Sequence, residues 1–157
     1  MFATSSDGSN WAKPRVLFEP KDKETESSGA GGFHVHGETL VAYYTLRKGT
    51  PILSLLQSES ALFARTTRDG RHWSKPIRIA SGSFMESPIR LPNGRLLLTG
   101  EATGPRRLTD KSRMLMLYSD NPNGLGPWKE GRIEPATVSY THLRAHETEA
   151  DLVCRLL

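Results

Sequence analysis

The chain is 157 residues long, 36% hydrophobic and 24% charged, with a formal net charge of +4. That length suits one domain; no apolar run approaches the roughly 20 residues of a membrane span, and no charged-then-apolar leader opens the sequence. The basic residues are dispersed, without the basic stripe and interleaved aromatics of a nucleic-acid binder, and a single cysteine excludes an internal disulfide framework. The expected partners therefore include neither nucleic acid nor membrane.

In chain order, TSSDGSNWAKP at Thr4–Pro14 reads as a turn, followed by the apolar RVLF. GFHVH and TLVAYYTL flank a Gly37-Glu38 turn and predict two strands of a hairpin. PILSLLQSES is ambiguous and would suit a short helical turn within a loop. SALFART predicts a third strand, which runs into TTRDGRHWSKP at Thr66–Pro76, and KPIRIA a fourth. SPIRLP and RLLLTGEA then flank Asn93-Gly94, the strongest hairpin signal in the chain. RMLMLYS and GRIEP complete a second set of four.

Two of these stretches align without a gap. Ser5-Ser6-Asp7-Gly8 with Trp11 and Thr67-Arg68-Asp69-Gly70 with Trp73 share one pattern, and the tryptophans stand 62 positions apart. A looser third copy is YSDNPNGLGPWKEGRIEP, with Ser119 and Asp120 at its start and Trp128 near its end. A recurring unit of this length, four antiparallel strands without a strong helix, predicts stacked sheets that complete one another's cores. Within each turn Asp7 and Asp69 are expected to accept backbone N–H bonds, Ser5 and Thr67 likewise. Gly8 and Gly70 supply a backbone conformation that a Cβ would penalise. Trp11 and Trp73 are expected to pack against the sheet, each indole N–H finding a partner; carbohydrate stacking is the alternative use of such rings.

The Ser/Thr-x-Asp-Gly-x-x-Trp repeats resemble the Asp boxes, or bacterial neuraminidase repeats, of the sialidase superfamily. The resemblance implies an all-β chain: part of a six-bladed β-propeller, comprising the end of one blade and about two four-stranded antiparallel blades, with each box between a third and a fourth strand. Residues 1–137 would be a partial propeller. The same resemblance implies an exo-acting glycoside hydrolase of terminal sialic acid or a related acidic sugar, secreted or periplasmic, without a cofactor, whose partner is a glycan. A non-catalytic propeller that binds glycans or proteins, and a glycosidase of another sugar specificity, are the alternatives.

Alternation of the strands puts the tight turns on one face and the long segments Glu19–Gly32, Arg47–Ser60, Ser81–Glu86 and Glu101–Ser112 on the other, which makes the second face the candidate for function. FMESPIRLPNGRLLLTGEA, Phe84–Ala102, resembles the family stretch in which a glutamate precedes an inner strand; by that match Glu86 would be the partner of a tyrosine nucleophile. Its other reading is a solvated loop glutamate. The family pattern has an arginine where this sequence has Glu101. Arg90 falls beside the Asn-Gly turn and is rejected as a ligand of a substrate carboxylate. Arg106 and Arg107, with Lys111 and Arg113, form a basic loop that is either a solvated face or an attraction for an anionic sugar. His34 and His36 share a strand face, but with no third ligand nearby they suit ordinary hydrogen bonds better than a metal.

The final segment, residues 138–157, breaks the pattern. His142 and His146 have the spacing of two metal ligands on one helical face, beside Glu147, with Cys154 further on. Yet Val138–Thr148 and Leu152–Leu157 resemble a translated sequencing adapter with an index between them. The tail is therefore expected to be non-native, no metal site is assigned to it, and the propeller is expected to be cut short. On that reading the chain has no catalytic activity by itself, and its open strand edges favour aggregation.

Overall fold

The computed structural model describes residues 1–22, 25–49, 59–104 and 114–131. Among them there is no helix. Eight strands form two four-stranded antiparallel sheets: β1 (Glu26–His36), β2 (Thr39–Lys48), β3 (Glu59–Thr67) and β4 (Ile77–Ser81) in the first, then β5 (Ile89–Arg90), β6 (Leu96–Glu101), β7 (Met114–Ser119) and β8 (Lys129–Glu130) in the second. Strands follow one another in sheet order, so every neighbouring pair is local in sequence. This is the all-β, repeated four-strand arrangement that the apolar runs predict.

Two boundaries depart from the sequence reading. β1 begins at Glu26, inside the segment Glu19–Gly32 expected to be loop, because β2 pairs with it from Lys48 back to Thr39 and supplies the ladder that Ser-Ser-Gly-Ala-Gly-Gly does not suggest by itself. A bulge between Ala30 and Phe33 interrupts that pairing. SPIRLP contributes only Ile89–Arg90. Among the described residues the last strand is Lys129–Glu130, and of the predicted strand GRIEP only Gly131 is described. The ambiguous stretch at 51–58 and the tail at 138–157 lie outside the described residues.

The period of two along the strands determines the core. On β2 and β3, Val41, Tyr43, Leu62 and Ala64 share one side of the first sheet and are at most 2% exposed. They pack against Leu98, Ala102, Leu115 and Leu117 from the second sheet in one continuous cluster. Phe84, fully buried, fills the space between the sheets. Gly100 makes that possible, since a Cβ there would run into the Phe84 ring. Thr45 fixes the chain at the same point: its Oγ1 donates to the Phe84 carbonyl (2.6 Å) and accepts the Phe84 N–H (3.1 Å), as a strand neighbour would. Ser83 and Glu101 exchange two backbone bonds of 2.9 Å just beside it.

The opposite side of the first sheet is also covered. Phe18 stacks on Tyr44 (centroids 4.5 Å apart), which stacks on Phe63 (5.8 Å), and Arg65 donates to the Leu17 carbonyl (2.6 Å). Phe2 meets the Trp73 ring edge-on at 5.3 Å, and a Phe2–Arg15 bridge closes this N-terminal layer. The second sheet, by contrast, turns Ile89, Leu97, Met114, Met116 and Tyr118 away from the core, with Ile89 and Met114 each 51% exposed.

Candidate functional site

The repeated turns come first because their geometry is nearly the same atom for atom. In the first, Ser5 Oγ donates to Asp7 Oδ1 (3.0 Å) and accepts the Gly8 N–H (2.9 Å), while Asp7 Oδ1 accepts the Ser9 and Asn10 N–H groups (2.9 and 2.8 Å). In the second, Thr67 Oγ1 donates to Asp69 Oδ1 (3.0 Å) and accepts the Gly70 N–H (3.0 Å), while Asp69 Oδ1 accepts the Arg71 and His72 N–H groups (both 2.8 Å). The second carboxylate oxygen takes the Asn10 amide in one turn (2.8 Å) and the His72 ring in the other (2.6 Å). Gly8 and Gly70 adopt φ of 74° and 65°, which a side chain would strain.

Donors aimed at a carboxylate favour its charged form. Asp7 is held well below the usual carboxylate range, foremost by the Asn10 N–H and then the Asn10 side chain. Asp69 is lowered in the same way, foremost by the His72 N–H and then the His72 ring. Both carboxylates are turned inward on their own loops, which makes them fasteners of the turn rather than acids available to a ligand.

The tryptophans of these turns differ from expectation. Trp11 is 63% exposed and its indole donates locally, to the Gly8 carbonyl (3.1 Å). Trp73 and Trp128 are half-buried, Trp73 against Phe2 and Trp128 against the shared core, but neither indole N–H has a partner. In the third turn Asp120 is not the internal acceptor either: it faces outward to Arg95 (2.8 Å) and Lys129 (4.0 Å). Asn121 takes that place, its Oδ1 accepting the Asn123 N–H (3.1 Å), while Ser119 Oγ accepts the Asn121 N–H (3.2 Å). Counting two residues on from Ser5, Thr67 and Ser119 finds Asp7, Asp69 and Asn121; the adjacent acidic residue obscured the match.

On the long-loop face the buried Phe84 anchors a short crossing segment, Met85–Ser87, against β1. A Cβ on Gly32 would approach Ser87 to 2.8 Å, and one on Gly29 would approach the Met85 thioether to 3.2 Å. Glu86 lies in this segment and is exposed, with no hydrogen bond or ion pair among the described residues. Glu101 is exposed at the end of β6, and Arg90 is exposed on β5. Beside Met85 a groove of about 210 Å³ is lined by Ser27, Ser28, Gly29, Thr45 and Arg47. Arg47 closes β2 on this face and is the functional candidate that sequence reasoning passed over, because its neighbours Ser27 and Ser60 are distant in sequence.

Other candidates are engaged elsewhere. His34 Nε2 meets the Pro122 carbonyl (2.8 Å), while His36 is exposed. Tyr43 donates to the Gly124 carbonyl (2.6 Å), Tyr44 belongs to the stack with Phe18 and Phe63, and Tyr118 lies beneath Arg95 (4.5 Å). None of these three tyrosines is the partner proposed by resemblance for Glu86. Arg106, Arg107, Lys111, Arg113, His142, His146 and Cys154 lie outside the described residues. Comparison with protein-family models, with characterised proteins and with solved structures gives no match for the chain.

Proposed function

We propose that the two sheets are consecutive blades of a β-propeller and that the chain belongs to a glycoside hydrolase of the sialidase type, acting on terminal sialic acid or a related acidic sugar. The observation that carries this reading is the pair of superimposable hydrogen-bonded turns, Ser5–Trp11 and Thr67–Trp73, the second joining the third and fourth strands of its sheet. Stacking supports it too. The outward side of the second sheet holds the strand positions that, in the first sheet, are covered by the second, so a further unit of the same kind would continue the series. Glu86 would then stand at the mouth of the central channel as the carboxylate that activates a tyrosine supplied by another blade. The chain alone would not turn over substrate.

The test is expression of the uninterrupted coding region that contains these blades, followed by assay on a fluorogenic sialoside. Turnover is expected, with Glu86→Gln lowering kcat by about 10²–10⁴-fold. No turnover, or an unimpaired Glu86→Gln enzyme, would sink the reading. Glu101, an exposed carboxylate where the resemblance has an arginine, favours a second reading, a propeller glycosidase for a sugar of other specificity. Neutral glycosides turned over in place of the sialoside would select it.

A further inference from the structure

The three repeated turns differ in what lies beneath them. The second, Thr67–Trp73, is docked on the N-terminal layer: Trp73 meets the Phe2 ring edge-on at 5.3 Å, and Arg15 of that layer donates to the Gly70 carbonyl (2.8 Å). The third, Ser119–Trp128, is docked on the first sheet. His34 Nε2 meets the Pro122 carbonyl (2.8 Å), the Tyr43 hydroxyl donates to the Gly124 carbonyl (2.6 Å), and Trp128 packs against the shared core. The fit is close, since a Cβ on Gly124 would run into both the Tyr43 hydroxyl and the His34 ring. Each of these two turns is therefore seated on the unit that precedes it in the chain.

The first turn, Ser5–Trp11, has the same internal bonds and no such seat. Trp11 is 63% exposed, and its indole turns back to the Gly8 carbonyl, the atom whose counterpart on Gly70 accepts Arg15. At the other end of the series, the outward side of the second sheet has a seat without a turn. Leu97 pairs with the residue before Ser119 as Val41 pairs with the residue before Thr67, so Thr99 and Met116 stand where Tyr43 and Ala64 stand. Ile89, opposite Leu97, then takes the place of His34, opposite Val41. His34 and Tyr43 are the residues that hold the third turn; their counterparts Ile89 and Thr99 are exposed. Among the described residues, these two uncovered surfaces are the two halves of a contact that the chain makes twice within itself.

We propose that a second copy of the chain completes this contact: the Ser5–Trp11 turn of one copy docks head to tail on the second sheet of another, over Ile89, Leu97, Thr99 and Met116. The occupant is a second copy because its first turn is the segment whose counterparts already make the contact, and Trp11 carries the apolar ring that these positions accept. The seat is more apolar than the one beneath the third turn, with Ile89 in place of His34. Ring burial rather than a side-chain hydrogen bond therefore holds the turn there. Two different surfaces meet, so each docked copy still offers one of each kind, and association continues past the dimer. The inference rests on the stacking of the units in the blade reading and not on glycosidase chemistry.

The test is sedimentation velocity of the 157-residue chain over a concentration series, beside Trp11→Lys and Met116→Lys. The unsubstituted chain is expected to grow in mass past the dimer as concentration rises. Each variant alone is expected to stay monomeric over the same range, with Trp11→Lys weakening association at least about 30-fold, as loss of a central aromatic anchor does. Mixed in equal amounts, the two variants are expected to form a dimer and nothing larger, because each keeps the surface that the other lacks. Ile89→Lys, at a position 51% exposed, is a second substitution of the sheet surface and is expected to behave as Met116→Lys does. Circular dichroism identifies a variant that has lost the fold, and the mixing result is then read from the other sheet variant. A chain that stays monomeric at every concentration would overturn the proposal. So would undiminished self-association of either folded variant alone, which means contact between like surfaces or open strand edges, or a mixture that stays monomeric. No substrate is present, so a failed sialoside assay and a failed association are separate results.

Discussion

Leu62 and Met114 occupy equivalent places in the two sheets, each five residues before the hydroxyl that opens the following turn, Thr67 or Ser119. Leu62 is fully buried and Met114 is 51% exposed. Each belongs to the third strand of its sheet; the difference is that, among the described residues, the first sheet is enclosed between two layers and the second has a layer on one side. Amphipathic alternation thus says which residues share a face, but only the neighbouring layer says whether that face is interior.

The largest expected effect tests what joins the sheets. Phe84→Ala should lower stability by about 3–5 kcal/mol, read as a shift of the urea midpoint, because both sheets pack on that ring. Next, Leu62→Ala should cost about 2–5 kcal/mol and Met114→Ala no more than about 1 kcal/mol by the same measurement. Equal losses at the two positions would break the comparison and mean that the outer side of the second sheet is covered in solution. Thr67→Val, which keeps shape and removes a buried hydroxyl from the turn, should cost about 1 kcal/mol.

The smallest effect is in acid. The folded pKa values of Asp7 and Asp69 lie below the reference value of 3.8, so the unfolded chain takes up protons first as pH falls. Stability from these turns is therefore whole above about pH 4 and declines progressively below it. Asp69→Asn should flatten the acid limb of a stability–pH curve. An acid limb identical to that of the unsubstituted chain would show that the turn carboxylate contributes nothing to it.

Much of the architecture was legible because its determinants are local. Asn93-Gly94 between apolar runs predicts its hairpin, and Gly94 adopts the positive φ of 83° that such a turn requires. The Asp7 and Asp69 loops were legible because each is closed by bonds between residues two or three apart. What escaped the sequence depends on partners far along the chain. The first half of β1 has no β-branched residue and is held by β2. The exposure of Trp11 depends on which layers surround it, not on its motif. Arg47 gains meaning only when pairing sets Ser27 and Ser60 beside it, 20 and 13 residues away. Glu86 was legible as a loop carboxylate, while its place against β1 is dictated by the burial of Phe84.

The bulge in β1 has a consequence best put as phase. Ser27 and Gly29 are odd-numbered and His34 and His36 even-numbered, yet the pairing sets all four on one side of the sheet, because the extra residue between Ala30 and Phe33 changes the parity of the strand. Deleting either Gly31 or Gly32 would put the two ends of β1 out of step. With His34 kept against Pro122, Ser27 would turn away from Arg47; with Ser27 kept beside Arg47, His34 would swing to the opposite side. One inserted residue allows a single strand to serve the groove at one end and the intersheet contact at the other.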